Sequence, residues 1–86
     1  MKEKLEQLLE TIKRAEQDPN DDALFREVVD RTLRLGVVDL LDAATGLCVS
    51  LPTVNRWCMG QSAPHPLARP SVYQWLKKKI EEKLNK

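Results

Sequence analysis

Few side chains in this 86-residue chain are of the types that carry out covalent chemistry. The single histidine, His65, lies between Pro64 and Pro66. A lone imidazole with no serine, cysteine or acid constellation is a poor general base, so a loop role is expected for it. Cys48 and Cys58 are ten residues apart and have no companion ligands at zinc-binding spacing. No metal site is expected from them; they read as reduced, packed thiols of a cytoplasmic protein. Neither a glycine-rich phosphate loop nor a paired catalytic constellation is present. The expectation is therefore a protein that is not an enzyme, with no cofactor and no small-molecule substrate. Charge is what remains to work with. Residues 1–50 carry seven Lys/Arg and eleven Asp/Glu, a net of −4, whereas residues 51–86 carry seven and two, a net of +5. Such asymmetry suggests one face suited to a polyanion, although long helices carry solvated charge in any case.

The elements that must position these groups are helical. Apolar residues make up 42% of the chain and charged residues 31%, the balance of a globular domain, and the length suffices for one domain, 1–86. No apolar run approaches the roughly 20 residues of a membrane span; the most apolar stretch, 35–51, is broken by Asp39 and Asp42. The first residues lack a secretory signal pattern. Leu5, Leu8, Leu9, Ile12 and Ala15 recur at helical spacing over 2–17, and Asp18-Pro19-Asn20 signals a turn. Asp21 or Asp22 caps a second helix, whose inward stripe is Leu24, Phe25, Val28, Val29, Thr32 and Leu33 and which Gly36 ends. A third, shorter helix is expected from Val38 to about Leu47, and a fourth up to Met59. Pro64, Pro66 and Pro70 mark 60–70 as loop. Ser71 is expected to cap a last helix running to about Leu84, with Val72, Leu76, Ile80 and Leu84 along one side and Tyr73 and Trp75 beside them. Without any period-2 strand pattern, the chain reads as an all-α, five-helix bundle.

Residues 40–60, LLDAATGLCVSLPTVNRWCMG, hold the most informative pattern. Ala44 is small where a following helix would cross closely. Cys48-Val49-Ser50 supplies a tight connection and a polar cap. Val54 and Trp57 face inward one turn apart, Leu47 and Val49 lock the elbow, and Gly60 is placed to end the second helix. This run, continued through Val49-Ser50-Leu51-Pro52-Thr53-Val54-Asn55-Arg56-Trp57-Cys58-Met59-Gly60-Gln61-Ser62-Ala63-Pro64, resembles the Cro and lambda-repressor-like helix-turn-helix family. The resemblance covers about 25 residues of the chain. It implies a helix-turn-helix core over 22–70, with the motif at 40–60, extended by flanking helices at 1–18 and 71–86.

What the resemblance implies is a reader of the major groove of double-stranded DNA: a transcription regulator, such as a bacterial or phage repressor, acting as a homodimer on two half-sites. The base-reading positions of the family fall on Ser50, Leu51, Pro52 and Arg56, with Asn55 at the flank. Arginine grips guanine with two donors, asparagine does the same for adenine, and Leu51 and Pro52 offer contact only to thymine methyls. Gln61 and Ser62 would face phosphate, and Arg69, Lys77, Lys78 and Lys79 would add positive charge. Each assignment has a plainer alternative. Ser50 is an N-cap, Pro52 suits a helix's first turn, Asn55 and Arg56 belong to an exposed face, the lysines to a solvated one, and Trp57 and Trp75 anchor the core. The sequence departs from the family at three points. Cys48 stands where glycine is usual, with Gly46 expected to loosen the helix end. Asp39 stands where a phosphate-bonding residue is usual. Leu51-Pro52 carries little hydrogen-bonding code. These departures suit an alternative: a helical protein-interaction module, or an antitoxin or accessory phage factor, docking through an apolar tip. The first helix either covers the core or pairs with another subunit.

Overall fold

The computed structural model describes residues 1–85, and most of its helices begin where a short side chain accepts a backbone N–H. The elements are α1 (Lys2–Gln17), α2 (Asp22–Arg34), α3 (Leu40–Leu47), α4 (Leu51–Met59), a 3-10 turn (Pro66–Ala68) and α5 (Arg69–Leu84). The fold is all-α with five helices, and no strand occurs among the described residues. None of their helices is long and apolar enough to cross a membrane. Asp21 Oδ1 accepts the Leu24 N–H at 3.0 Å. Asp39 Oδ1 accepts the Asp42 N–H at 2.7 Å, while the Asp39 N–H reaches back to Asp42 Oδ2 at 3.4 Å, completing a capping box. A cap of this kind contributes about 1 kcal/mol to its helix.

That box corrects one boundary: the third helix starts at Leu40 rather than Val38, because Asp39 is occupied as its cap. The proline-rich segment needs a second correction. Pro66 opens a 3-10 turn, and Pro70 lies in the first turn of α5, where the missing N–H leaves no hydrogen bond unmade. Ser71 is therefore inside α5 and caps nothing; Ala68 precedes the helix and makes no side-chain cap.

Three successive helices end alike. Gly36, Cys48 and Gly60 all take the left-handed conformation. In each case the next residue's N–H reaches back across the turn: Val37 to the Thr32 carbonyl, Val49 to Ala44 and Gln61 to Arg56. Glycine enters this conformation without strain, but Cys48, at φ 58°, does so at a cost of roughly 1–2 kcal/mol. Gly46 does not loosen the end of α3, as its position suggests. It is helical, and a Cβ there would overlap Cζ2 of the Trp75 indole, so the glycine lets Trp75 dock flat against α3.

α1 packs against α2 and α5. Its Leu5, Leu8, Ile12 and Ala15 join Phe25, Val28, Trp57, Tyr73, Leu76 and Ile80 in one buried cluster. The apolar stripe of α1 thus covers the chain's own core and is not left over for a partner subunit. Phe25 sits at its centre, edge-on to Trp57 at 5.4 Å between centroids and 5.9 Å from Tyr73, an arrangement that adds about 1 kcal/mol beyond area burial. The Tyr73 hydroxyl is buried with no hydrogen-bond partner among the described residues, and burial, as the main cause, pushes its pKa up to about 12. A smaller cluster of Val38, Ala43, Ala44 and Val54 joins α3 to α4, with Ala44 at the close approach.

Candidate nucleic-acid interface

Helix α4 is built to be held from behind. Ser50, extended at φ −79° and ψ 157°, caps it: its Oγ accepts the Thr53 N–H at 3.2 Å and shares a hydrogen bond with Thr53 Oγ1 at 2.7 Å. Pro52 occupies the first turn. Val54 and Trp57 are buried inward, and α4 packs against α2 and α3. The three-residue connection 48–50 is set by the left-handed turn at Cys48, which sends α4 away from α3 at a fixed angle.

The opposite face of α4 is open. Leu51 is 44% exposed and Met59 56%. Pro52, Asn55 and Arg56 are exposed with them. Positions 51, 52, 55, 56 and 59 recur at helical spacing, so they form one stripe. The stripe is covered by neither α1 nor α5. Arg56 makes no ion pair among the described residues. Asn55 donates only a weak bond from Nδ2 to Met59 Sδ at 3.6 Å. Chemically, the stripe offers a planar guanidinium, an amide and an apolar tip. Gln61 and Ser62 follow directly and are also exposed. Ser50, Leu51, Pro52, Asn55, Arg56, Gln61 and Ser62 are thus all exposed. Ser50 differs from its neighbours, because its hydroxyl is already engaged by Thr53.

Of the four cations expected to add phosphate contacts, three are engaged within the fold. Arg69 is 3% exposed. Its Nε donates to the Pro64 carbonyl at 3.0 Å, Nη1 to the Pro19 carbonyl at 2.7 Å and Nη2 to Asp22 Oδ1 at 2.6 Å. The guanidinium also lies 5.3 Å from the centre of the Phe25 ring. Arg69 is thus an interior strut between the Pro19 turn and the proline loop, buried away from an outside phosphate. Lys77 is half-buried and paired with Glu16 of α1 at 2.9 Å. Lys79 sits 5.5 Å from the Trp75 ring and 3.7 Å from Glu82. Only Lys78 of this group is fully exposed, on α5. Of the basic surplus of the C-terminal half, Arg69 and Lys77 are thus spent on acids of the N-terminal half.

Asp39 and Asp42 are exposed at the start of α3, tied up in their capping box. Cys48 is exposed, and Cys58 is half-buried, its thiol pKa raised mainly by burial. Among the described residues no group of three or more His, Cys, Asp or Glu is gathered to hold a metal ion. His65 Nδ1 accepts the Leu67 N–H at 3.1 Å, which fixes the 3-10 turn.

One residue near α4 has no sequence signature. Arg26, on α2, donates from Nε to the Cys58 carbonyl at 3.0 Å, across 32 residues of chain. The close packing of its side chain beside Gly60 is the only trace it leaves, and the pairing of these two positions is a tertiary fact. No protein-family model matches this chain, and no curated protein or solved structure matches it.

Proposed function

We propose that the chain binds double-stranded DNA and regulates transcription. In this reading α3, the 48–50 connection and α4 act as a helix-turn-helix, and the outer stripe of α4 enters the major groove. The observation that carries this reading is an outward guanidinium and amide on a short helix capped at both ends. Arg56 and Asn55 are exposed on a capped helix, without acid partners among the described residues. Arg56 would grip a guanine and Asn55 an adenine, while Leu51 and Pro52 contact thymine methyls. The resemblance to Cro and lambda-repressor-like proteins supports a repressor-like regulator. It also supports a homodimer whose two α4 helices span half-sites about one DNA turn apart.

The test is a fluorescence-anisotropy titration against a randomised duplex library at several salt concentrations. The affinity is expected to fall steeply with salt, and a preferred sequence is expected to emerge. Arg56→Ala is expected to cost about 1–3 kcal/mol on that sequence and to relax selection at one base pair. Absence of both a selected sequence and salt-dependent retention would remove the reading.

A second reading has its own observation. Leu40, Leu41 and Leu51 are exposed, at 39%, 62% and 44%, beside the acids Asp39 and Asp42. Such a surface suits docking of a protein partner. Leu51→Ser and Arg56→Ala separate the two. Loss of binding with the arginine change alone supports DNA, and loss with the leucine change alone supports a protein partner.

A further inference from the structure

Arg26, on α2, lies against the end of α4 and has donors to spare. Its Nε is used on the Cys58 carbonyl at 3.0 Å, one of the carbonyls that a helix's last turn leaves unpaired. The Arg56 and Trp57 carbonyls of the same turn already accept from Gln61 and Gly60. A cation is favoured at this negative end of the helix dipole. The aliphatic part of the side chain lies against Gly60, where a Cβ would come within 3.1 Å of Arg26 Cδ. So the side chain is braced along its length, and it lines a groove of about 340 Å³ together with Asp22, Phe25, Gly60, Gln61 and Ser62.

The electrostatics single out the same residue. Three carboxylates share its surroundings: Asp22, Glu27 and Asp30. Each is matched by a different arginine. Arg69 holds Asp22 at 2.6 Å, Arg31 holds Glu27 at 3.5 Å and Arg34 holds Asp30 at 2.9 Å. Arg26 itself makes no ion pair among the described residues. A guanidinium with one donor anchored and its outer amino groups free is preorganised for bidentate capture of an oxyanion.

We propose that Arg26, with Gln61 and Ser62, forms a clamp for a backbone phosphodiester of duplex DNA at the C-terminal end of α4. The proposal rests on the reading of α4 given above and adds an affinity determinant from a different helix. A phosphate contact carries no base preference, so Arg26 adds affinity for any duplex and leaves base reading to Arg56 and Asn55.

The test uses the full chain, unlabelled, and a set of fluorescein-labelled duplexes, titrated from about 50 to 200 mM salt. Loss of one phosphate contact flattens the slope of log affinity against log salt by about 0.9. Arg26→Gln is expected to show that flattening and to weaken every duplex by the same factor, leaving the preferred sequence unchanged. Arg56→Ala is expected to change the preference instead. Arg26→Lys keeps the charge and is expected to restore the slope. Unfolding midpoints are measured alongside, because a merely structural Arg26 would move the midpoint and not the slope. If the wild-type chain binds DNA and Arg26→Gln leaves its slope unchanged, or Arg26→Lys fails to restore the slope, the clamp is overturned while the reading of α4 stands. If the wild-type chain retains no duplex even at the lowest salt, both fall together.

Discussion

Arg69 and Arg56 are the same residue type with opposite fates, and the difference is decided by what lies within reach. Arg56 projects from the outer stripe of α4 and meets no acid among the described residues. Arg69 sits where the start of α2, the turn at Pro19 and the proline loop converge, and each of its three guanidinium nitrogens donates a hydrogen bond. Burying a guanidinium is expensive unless its hydrogen bonds are satisfied, and here two backbone carbonyls and a carboxylate do so. The Asp22 carboxylate is itself 78% exposed, so it would return to water if Arg69 were removed. The Pro19 and Pro64 carbonyls would not be compensated as easily. Arg69→Met is therefore expected to lower unfolding free energy by about 2–4 kcal/mol in urea titrations. A residue acting only on DNA would leave that value unchanged. Nothing local distinguishes the two arginines: both lie in helices, within five residues of a proline or glycine.

At the scale of elements, the junction of α3 with α5 is governed by a missing side chain. Replacing an ordinary helical glycine by alanine gains up to about 1 kcal/mol in helix propensity. Gly46→Ala is expected to have the opposite sign, because the new methyl would overlap the Trp75 indole. Overpacking of this kind costs about 1–3 kcal/mol. Thermal unfolding reads the loss, and the emission of Trp75 reports its displacement when measured in a Trp57→Phe background. An unchanged or higher midpoint would show that Trp75 is not docked there. Helix starts and stops were largely legible, since Asp21, Ser50, Gly36 and Gly60 are strong local signals. Two starts differ from the sequence expectation for local reasons. Asp39 caps α3, which starts two residues later than the apolar pattern suggests. Pro70 breaks a helix in its interior but begins one as easily. Cys48 takes a backbone conformation that glycine usually signals, and the packing of Leu47, Val49 and Val54 on either side holds it there.

For the molecule as a whole, α1 determines whether a core exists at all. A chain of this size buries a modest share of its surface, and net stability is a small difference between large terms. α1 contributes Leu5, Leu8, Ile12 and Ala15, all at most 2% exposed, against α2 and α5. Its ion pair from Glu16 to Lys77 lies at the same seam. Truncation of residues 1–18 is expected to expose Phe25, Tyr73 and Ile80 and to abolish cooperative unfolding. Circular dichroism during a thermal ramp would show a broad, low-amplitude change in place of a sigmoid. A truncated chain that still melts sharply would mean that α2 to α5 form a sufficient core. The wider consequence is that α1 and α5 close the back of the molecule and leave α4 on the open side.

Helical periodicity, caps and turn residues act over a few positions, so the amino-acid order alone determined the all-α class and the five helices. Contacts between distant residues have no such local trace. Tertiary structure alone decided that Arg69 is interior and Lys77 paired, that Gly46 serves Trp75, and that Arg26 reaches the end of α4. In each case the outcome depends on which charged or bulky group the fold brings within a few ångströms, and charge and hydrogen-bond energies change steeply over that distance.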